Sequence, residues 1–316
     1  WDWQGLQDQV AQEASLLLKK QKQKNNLPVG YIIDESSHLK KGKKSVGVGR
    51  QYAGVIGKVD NCQVGVYASL VNHTAATIIN ERIFLPESWT KDDNRCREAR
   101  IPEPDRKFKT KPELALEMIK QDIERGVEFD WIGGDGLYGH NTELCDALDD
   151  LECFYAMDVH KDEKVFLEKP DIFIPSPKPG RGRKPTKAQS NIESVRLDKF
   201  VTTTADDKWK LEEIRDTVKG KLRLLVYKQN VWVWDSKKEK VKRKVLIITK
   251  TTDSKPKIKY SLSNGDLNEH NHKEYAYFVA QRYWVERSFD NAKNELGISD
   301  YQVRKWQSWH THHAIV

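Results

Sequence analysis

The chain has 316 residues, of which 54 are basic and 47 acidic, for a formal charge of +7. That length supports one large domain or two moderate ones, each with a substantial core. No apolar run approaches the roughly 18 residues a membrane-spanning helix needs, no signal peptide is visible, and the four cysteines lack the spacing of a zinc knuckle or a disulfide framework, which fits a reducing compartment.

The charge is unevenly placed. Residues 161–259 carry 27 basic and 14 acidic side chains, a surplus of +13, so the remainder carries −6. A basic middle inside an acidic remainder reads as a polyanion-facing module inserted into something else. The chain starts at Trp1 rather than Met and stops at Val316 inside an apolar stretch, which reads as a piece of a longer protein.

In chain order, residues 6–24 read as a polar helix ended by Asn25-Asn26-Leu27-Pro28. Val29-Gly30-Tyr31-Ile32-Ile33-Asp34 is a short apolar strand ending on a carboxylate. Glu35 follows, but strand neighbours point to opposite faces, so only one of the two is expected to address a given site, and Asp34 is the choice. A basic loop, Lys40-Lys41-Gly42-Lys43-Lys44, comes next, either a solvated tip or a phosphate contact. Residues 51–58 and 62–71 read as strands separated by the turn signal Asp60-Asn61, giving an antiparallel meander. Residues 86–109 are expected to be a long loop, and 110–126 an amphipathic helix with Pro112 in its first turn and Gly126 at its end.

Phe129 to Gly139 runs from a short apolar strand into a glycine-rich turn with Asp135 at its lip. Ligands in open α/β sheets sit at the carboxyl ends of strands, which is where Asp135 falls, although a turn-forming Asp would look the same. Asn141 or Thr142 then caps a helix to about residue 150, and residues 153–160 supply another strand. The Pro/Gly/Arg stretch with Arg181, Arg183 and Lys184 reads as a mobile basic arm. Segments 194–203, 209–216, 222–234 and 244–250 read as β-rich. Trp232 and Trp234 share one strand face beside Lys242, Arg243 and Lys244, a pattern of either a core or a nucleic-acid groove. Finally, 281–297 reads as a helix with Gly297 at its end, and Arg282, Glu286 and Lys293 share one stripe of it.

Asp34, Asp135 and Glu286 together suggest a divalent-metal site of hard oxygen ligands suited to Mg²⁺. The chain resembles the DDE transposases of bacterial insertion sequences, in particular the seven-oh-one branch of the insertion-sequence-four superfamily. The resemblance is carried by four passages. They are Tyr31 to His38 with Gly42-Lys43 and Gly47 to Tyr52; Gly134-Asp135-Gly136-Leu137-Tyr138-Gly139; Tyr260-Ser261-Leu262-Ser263-Asn264; and Arg282-x₃-Glu286-x₆-Lys293, continuing through Leu296-Gly297 and Tyr301-Gln302-Val303-Arg304 to Trp309-His310. The pattern departs from that family at Val279, where a tyrosine is expected three residues before the arginine.

The resemblance implies an α/β fold, an RNase H-like mixed sheet flanked by helices and interrupted by a β-rich insertion domain between the second catalytic Asp and the catalytic Glu. The implied divisions are a helical remnant at 1–28, core at 29–160, basic insertion at 161–256 and the rest of the core at 257–316. It implies Asp34, Asp135 and Glu286 as catalytic metal ligands, two Mg²⁺ (or Mn²⁺) ions, and cut-and-paste transposition, with a possible DNA hairpin intermediate. Arg282 and Lys293 are then phosphate contacts. Lys43, Lys44, Arg50, Arg181, Arg183, Lys184, Lys242, Arg243, Lys244 and Arg304 are further DNA-binding candidates, and Trp232, Trp234, Tyr283 and Trp284 are candidates to stack on a flipped base. The expected partners are double-stranded DNA and a second copy in a synaptic homodimer, with no membrane, in the nucleoid-associated cytoplasm of a bacterium. Two other readings compete: a non-catalytic DNA-binding descendant, and a metal-dependent junction resolvase or nuclease on the same fold.

Overall fold

Tyr31, Ile32 and Ile33 are fully buried, and the strand they begin, β1 (Gly30–Leu39), is longer than the apolar run alone predicts. It is flanked on both sides. In the computed structural model, which describes residues 1–176, 185–218 and 220–316, β1 pairs antiparallel with one neighbour and parallel with another. Contacts divide the chain into two units, Trp1–Gly134 with Gln281–Val316, and Asp135–Ala280.

The first unit opens with α1 (Trp3–Asn25), whose buried residues Gln7, Ala11, Ala14, Ser15 and Leu18 recur at helical spacing. This helix packs on the sheet of its own unit, so it is part of that body. After β1 come β2 (Gly49–Ala53), β3 (Lys58–Asn72) and β4 (Ala75–Ile83). The β2–β3 turn lies at Gly54–Gly57 and not at Asp60-Asn61, which are paired inside the ladder. Gly57, at φ +63, takes the left-handed conformation that the tight turn needs, and this outcompetes the Asp-Asn signal. The stretch expected as a loop at 86–109 instead forms α2 (Glu87–Thr90), α3 (Asp93–Glu98) and a 3₁₀ turn. Trp89, Cys96, Ala99 and Ile101 anchor it in a buried cluster. α4 (Lys111–Glu124) follows, with Pro112 in its first turn and Gly126 at φ +79 beyond its end as the sequence predicts, and the structure adds a complete Thr110/Glu113 capping box. β5 (Trp131–Gly134) then pairs parallel to β1, so the sheet order is β2-β3-β1-β5 with β4 on β3.

The second unit begins with a short α5 (Gly136–Gly139), then α6 (Thr142–Asp150), N-capped by Asn141, and β6 (Ala156–Val159). Two small ladders follow, β7 (Lys164–Val165) with β10 (Val195–Arg196), and β8 (Ile172–Phe173) with β9 (Gln189–Ser190). The segment expected as a strand at 194–203 is mostly α7 (Leu197–Thr203). Leu197 and Phe200, one turn apart, enter the unit's buried cluster, and that packing overrides the β-branched run Val201-Thr202-Thr203. β11 (Lys210–Thr217), β12 (Gly220–Asp235), β13 (Lys240–Thr251) and β14 (Ile258–Ser263) then form one sheet with β6, in the order β11-β12-β13-β14-β6. Because β6 and β14 are hydrogen-bonded into that sheet, the contact boundary falls at 134/135 and 280/281, outside the expected 160/161 and 256/257. The unit closes with α8 (His272–Ala280).

Within this unit the lysines of β13 meet acids of α6. Lys242 bonds Asp146 at 2.6 Å and Asp149 at 2.7 Å, while buried Lys244 reaches Asp149 at 3.2 Å. Asp149 also accepts from Asn264 Nδ2 at 3.0 Å. Burial pushes the Lys244 ammonium down, and Asp149 opposes that. Asp149→Ala leaves buried Lys244 with only the Tyr155 hydroxyl, so it is expected to destabilise the protein by about 2–4 kcal/mol. Urea unfolding checks this, and a loss below about 1 kcal/mol would show that Lys244 does not depend on Asp149.

The chain returns to the first unit with α9 (Arg282–Asn294) and α10 (Trp306–Ile315). α9 buries Val285, Phe289 and Ala292. Gly297, at φ +73, ends it, and the Ile298 amide reaches back to the Ala292 carbonyl at 2.9 Å.

Candidate metal-dependent active site

Parallel pairing of β1 with β5 sets the site. Ile33 is opposite Gly134, so the residues that follow, Asp34 and Asp135, come side by side. Asp135 opens the second unit but is joined to β5 by one peptide bond. It also N-caps α5, its Oδ1 accepting the Leu137 amide at 2.9 Å, so the turn role and the site role coexist in one side chain.

Asp34, Glu35 and Asp135 each offer an oxygen within 4.8 Å of the others, the one group of three potential ligands that close among the described residues. This corrects the expectation that alternation sends Glu35 elsewhere. The strand does hold, but the Asp34 carboxylate leans along it, Oδ1 accepting the Glu35 amide at 2.9 Å. The side chain of Glu35 is two bonds from its backbone at Cγ and bends freely, so Cβ direction alone does not fix its oxygens. Lys111 Nζ holds Glu35 Oε1 at 2.8 Å.

α9 brings its stripe to the same strand. Arg282 Nη1 lies 3.1 Å from Asp34 Oδ2, and its Nη2 lies 3.0 Å from Glu286 Oε1. Glu286 is thus tied to Asp34 through one guanidinium, with its own side chain 52% exposed. Lys293 is half-buried; burial lowers its ammonium, while Asp290 and Asp34 hold it up. Behind Asp34, His38 is pushed down to about 3 by burial first, then by Lys293, Lys40 and His312. It stays neutral at physiological pH and hydrogen-bonds Tyr67 Oη at 2.8 Å and Ser299 Oγ at 3.0 Å. No sequence signal marks His38 beyond its place three residues after Glu35.

The other candidates lie in varied settings. Lys43, Lys44, Arg50, Tyr283 and Arg304 are exposed in the first unit, and Trp284 is half-buried. In the second unit Trp232 and Trp234 are half-buried and Arg243 is exposed, paired with Asp266 at 3.2 Å. Lys242 and Lys244 serve the α6 ion pairs. Arg181, Arg183 and Lys184 lie outside the described residues.

A family described as DDE superfamily endonuclease matches residues 1–221. The chain belongs to the DDE superfamily endonucleases. Both aspartates lie inside the DDE match, whereas α9 with Arg282, Glu286 and Lys293 lies beyond it. The chain is also 26% identical, over 281 residues, to a probable transposase for insertion sequence element IS701 from Microchaete diplosiphon. That alignment takes in 87% of this chain and 60% of the relative, so the chain spans about 60% of the length of the curated relative it matches. A crystal structure of the NurA nuclease from Sulfolobus solfataricus aligns over 87% of this DDE chain and 86% of its own, at 9% identity and a TM-score of 0.32, too loose a likeness to bear on fold or activity. Among the described residues no helix is long and apolar enough to cross a membrane.

Proposed function

We propose that this chain is the catalytic part of a DDE transposase that cleaves DNA at transposon ends and joins the freed strand to target DNA. The observation that carries the reading is the juxtaposition of Asp34 and Asp135 at neighbouring positions of parallel strands, with the Arg282 guanidinium on Asp34. Family membership and the transposase relative support it. On this reading the first unit is an RNase H-like core, interrupted between Asp135 and Glu286 by a β-rich insertion.

An all-oxygen donor set is what Mg²⁺ or Mn²⁺ takes, so the residues present fit that metal. Asp34 and Asp135 would hold it, with Glu286 as third carboxylate. When bound, a pair of such ions supplies a water or 3′-hydroxyl made nucleophilic and compensates charge at the leaving oxygen. Arg282 is placed to exchange its carboxylate partners for the two oxygens of a scissile phosphate, a bidentate role its fork geometry suits. Lys293 supports the flanking phosphate. Lys43, Lys44, Arg50 and Arg304 extend the backbone contact. Cutting both strands through a hairpin, synapsis of two ends by a homodimer, and action in the bacterial nucleoid complete the proposal.

The test is incubation of the purified chain with DNA that flanks its own gene, in Mg²⁺ or Mn²⁺, scoring nicked and joined strands. Joined products support a transposase, hydrolysis without joining a resolvase-type nuclease, and binding without cleavage a non-catalytic descendant. Binding is also expected to weaken steeply with salt. Lys43→Ala and Lys44→Ala should each lower the log–log salt slope by about one, the release of one phosphate contact. An unchanged slope would remove these lysines from the DNA.

A further inference from the structure

The β2–β3 hairpin carries apolar side chains on both of its faces. Its inner face is closed, because Ala53, Cys62 and Val64 pack together against Phe84. On the outer face Tyr52 lies directly opposite Val59, and both stay exposed, at 63% and 52%. Val55, 55% exposed, and Ile56, 37% exposed, form the tip, inside a turn that ends on Gly57 at φ +63. Four apolar side chains within eight residues thus face solvent.

Their sequence neighbourhood is mostly basic. Residues 39–60 contain six basic side chains, Lys40, Lys41, Lys43, Lys44, Arg50 and Lys58, and one acidic one, Asp60. Arg50 and Asn61 are paired on the face that carries Tyr52 and Val59. Asn61 Nδ2 in turn donates to the Gly42 carbonyl at 3.0 Å, which ties the lysine loop to that face. The hairpin root is also near the acidic site. Cys62 pairs with both Leu39 and Gly49, and Leu39 is five strand residues, about 17 Å, beyond Asp34. That is roughly five base steps of duplex.

We propose that the β2–β3 tip is a DNA-bending wedge. Val55 and Ile56 press into a groove of the duplex held at Asp34, while Arg50, Lys43, Lys44 and Lys58 grip the phosphates on either side. Apolar wedges set among basic contacts unstack a base step and bend the helix, which lets more protein surface reach it. Charge selects the occupant. A second copy of this loop and hairpin would bring a surplus of five positive charges against five, whereas a polyanion neutralises them. The inference rests on the DNA-cleaving reading above and adds a deformation which that reading does not require.

The test uses the full chain without divalent metal and a short duplex of its flanking DNA with a dye at each end. Energy transfer reports bending, and anisotropy reports affinity. Wild type is expected to bend the duplex. Val55→Ser with Ile56→Ser, both at exposed positions, should abolish the bend and weaken binding about tenfold. Lys43→Ala with Lys44→Ala should weaken binding and keep the bend. An unchanged bend in the serine variant, or a wild type that binds without bending, overturns the wedge while leaving the cleavage reading intact. Absence of any DNA binding overturns both. A serine variant that loses only self-association, measured by sedimentation, would assign the tip to contact between copies and overturn the wedge.

Discussion

Asp34→Asn and Asp135→Asn are each expected to lower metal-dependent DNA cleavage by about 10³-fold or more, the scale of removing a group that acts as part of a catalytic unit. Both substitutions keep side-chain shape. Asn caps a helix about as well as Asp, so Asp135→Asn retains the bond to the Leu137 amide. An Asn oxygen at position 34 still accepts the Glu35 amide. Circular dichroism should therefore stay close to wild type in both, melting should drop in Asp34→Asn, where the ion pair with Arg282 is lost, and DNA binding should persist while Mn²⁺ binding, read by calorimetry, falls. Cleavage within tenfold of wild type in either variant would remove that carboxylate from the chemistry. Glu286→Gln is expected to match them. A Glu286→Gln chain that remains active beside a dead Glu35→Gln would instead make Glu35, which the structure already holds near both aspartates, the third carboxylate.

Stability should fall steeply below neutral pH, because three histidines of the first unit are buried in neutral form. His38 is pushed to about 3, and burial also lowers His310 and His313. A folded value below the unfolded one means that the unfolded chain takes up the proton first. The contribution is therefore complete above about pH 6.5 and is lost as pH falls from there toward each folded value. Each fully shifted histidine contributes a slope of about 1.4 kcal/mol per pH unit, so His38 and His313 together reach about 3 kcal/mol per unit, with His310 adding less. His310 carries an opposing influence, since its Nδ1 lies 2.7 Å from Glu81, a buried carboxylate. The groups facing His38 are Tyr67, Ser299, His313 and Tyr301 at contact range, with Lys293, Lys40 and His312 acting through their charge. Urea unfolding at pH 7.5, 6.5 and 5.5 checks the slope, and His38→Gln should remove up to about half of it. A stability that is flat over that range would contradict the neutral buried state.

The two aspartates were legible because each directly follows an apolar run, although β1 continues mostly buried past Asp34 to His38. α4 was legible from its amphipathic pattern, with Pro112 in the first turn and Gly126 at the end, and α9 from its charged stripe Arg282, Glu286 and Lys293 with Gly297 closing it. What the sequence hid depends on partners far along the chain. Lys242 and Lys244 read as polyanion-facing because nothing near them in sequence is acidic enough to neutralise them; Asp146 and Asp149, on α6, do so across the fold. Glu35 was assigned away from the site by an alternation rule that governs Cβ directions and not the ends of long side chains. The turn at Gly54–Gly57 and the helix at Leu197–Thr203 went to tighter backbone geometry and to core packing, both of which overrode local propensity.

The first unit is assembled from both ends of the chain, with α9 and α10 rejoining it after the whole of Asp135–Ala280. A ribosome that has reached Ala280 has therefore made both aspartates but not the guanidinium that sits on Asp34. Any polypeptide truncated before Gln281 would carry Asp34 without its Arg282 partner and would lack Glu286 altogether. On the DNA-cleaving reading proposed above, such truncated products are expected to lack cleavage activity.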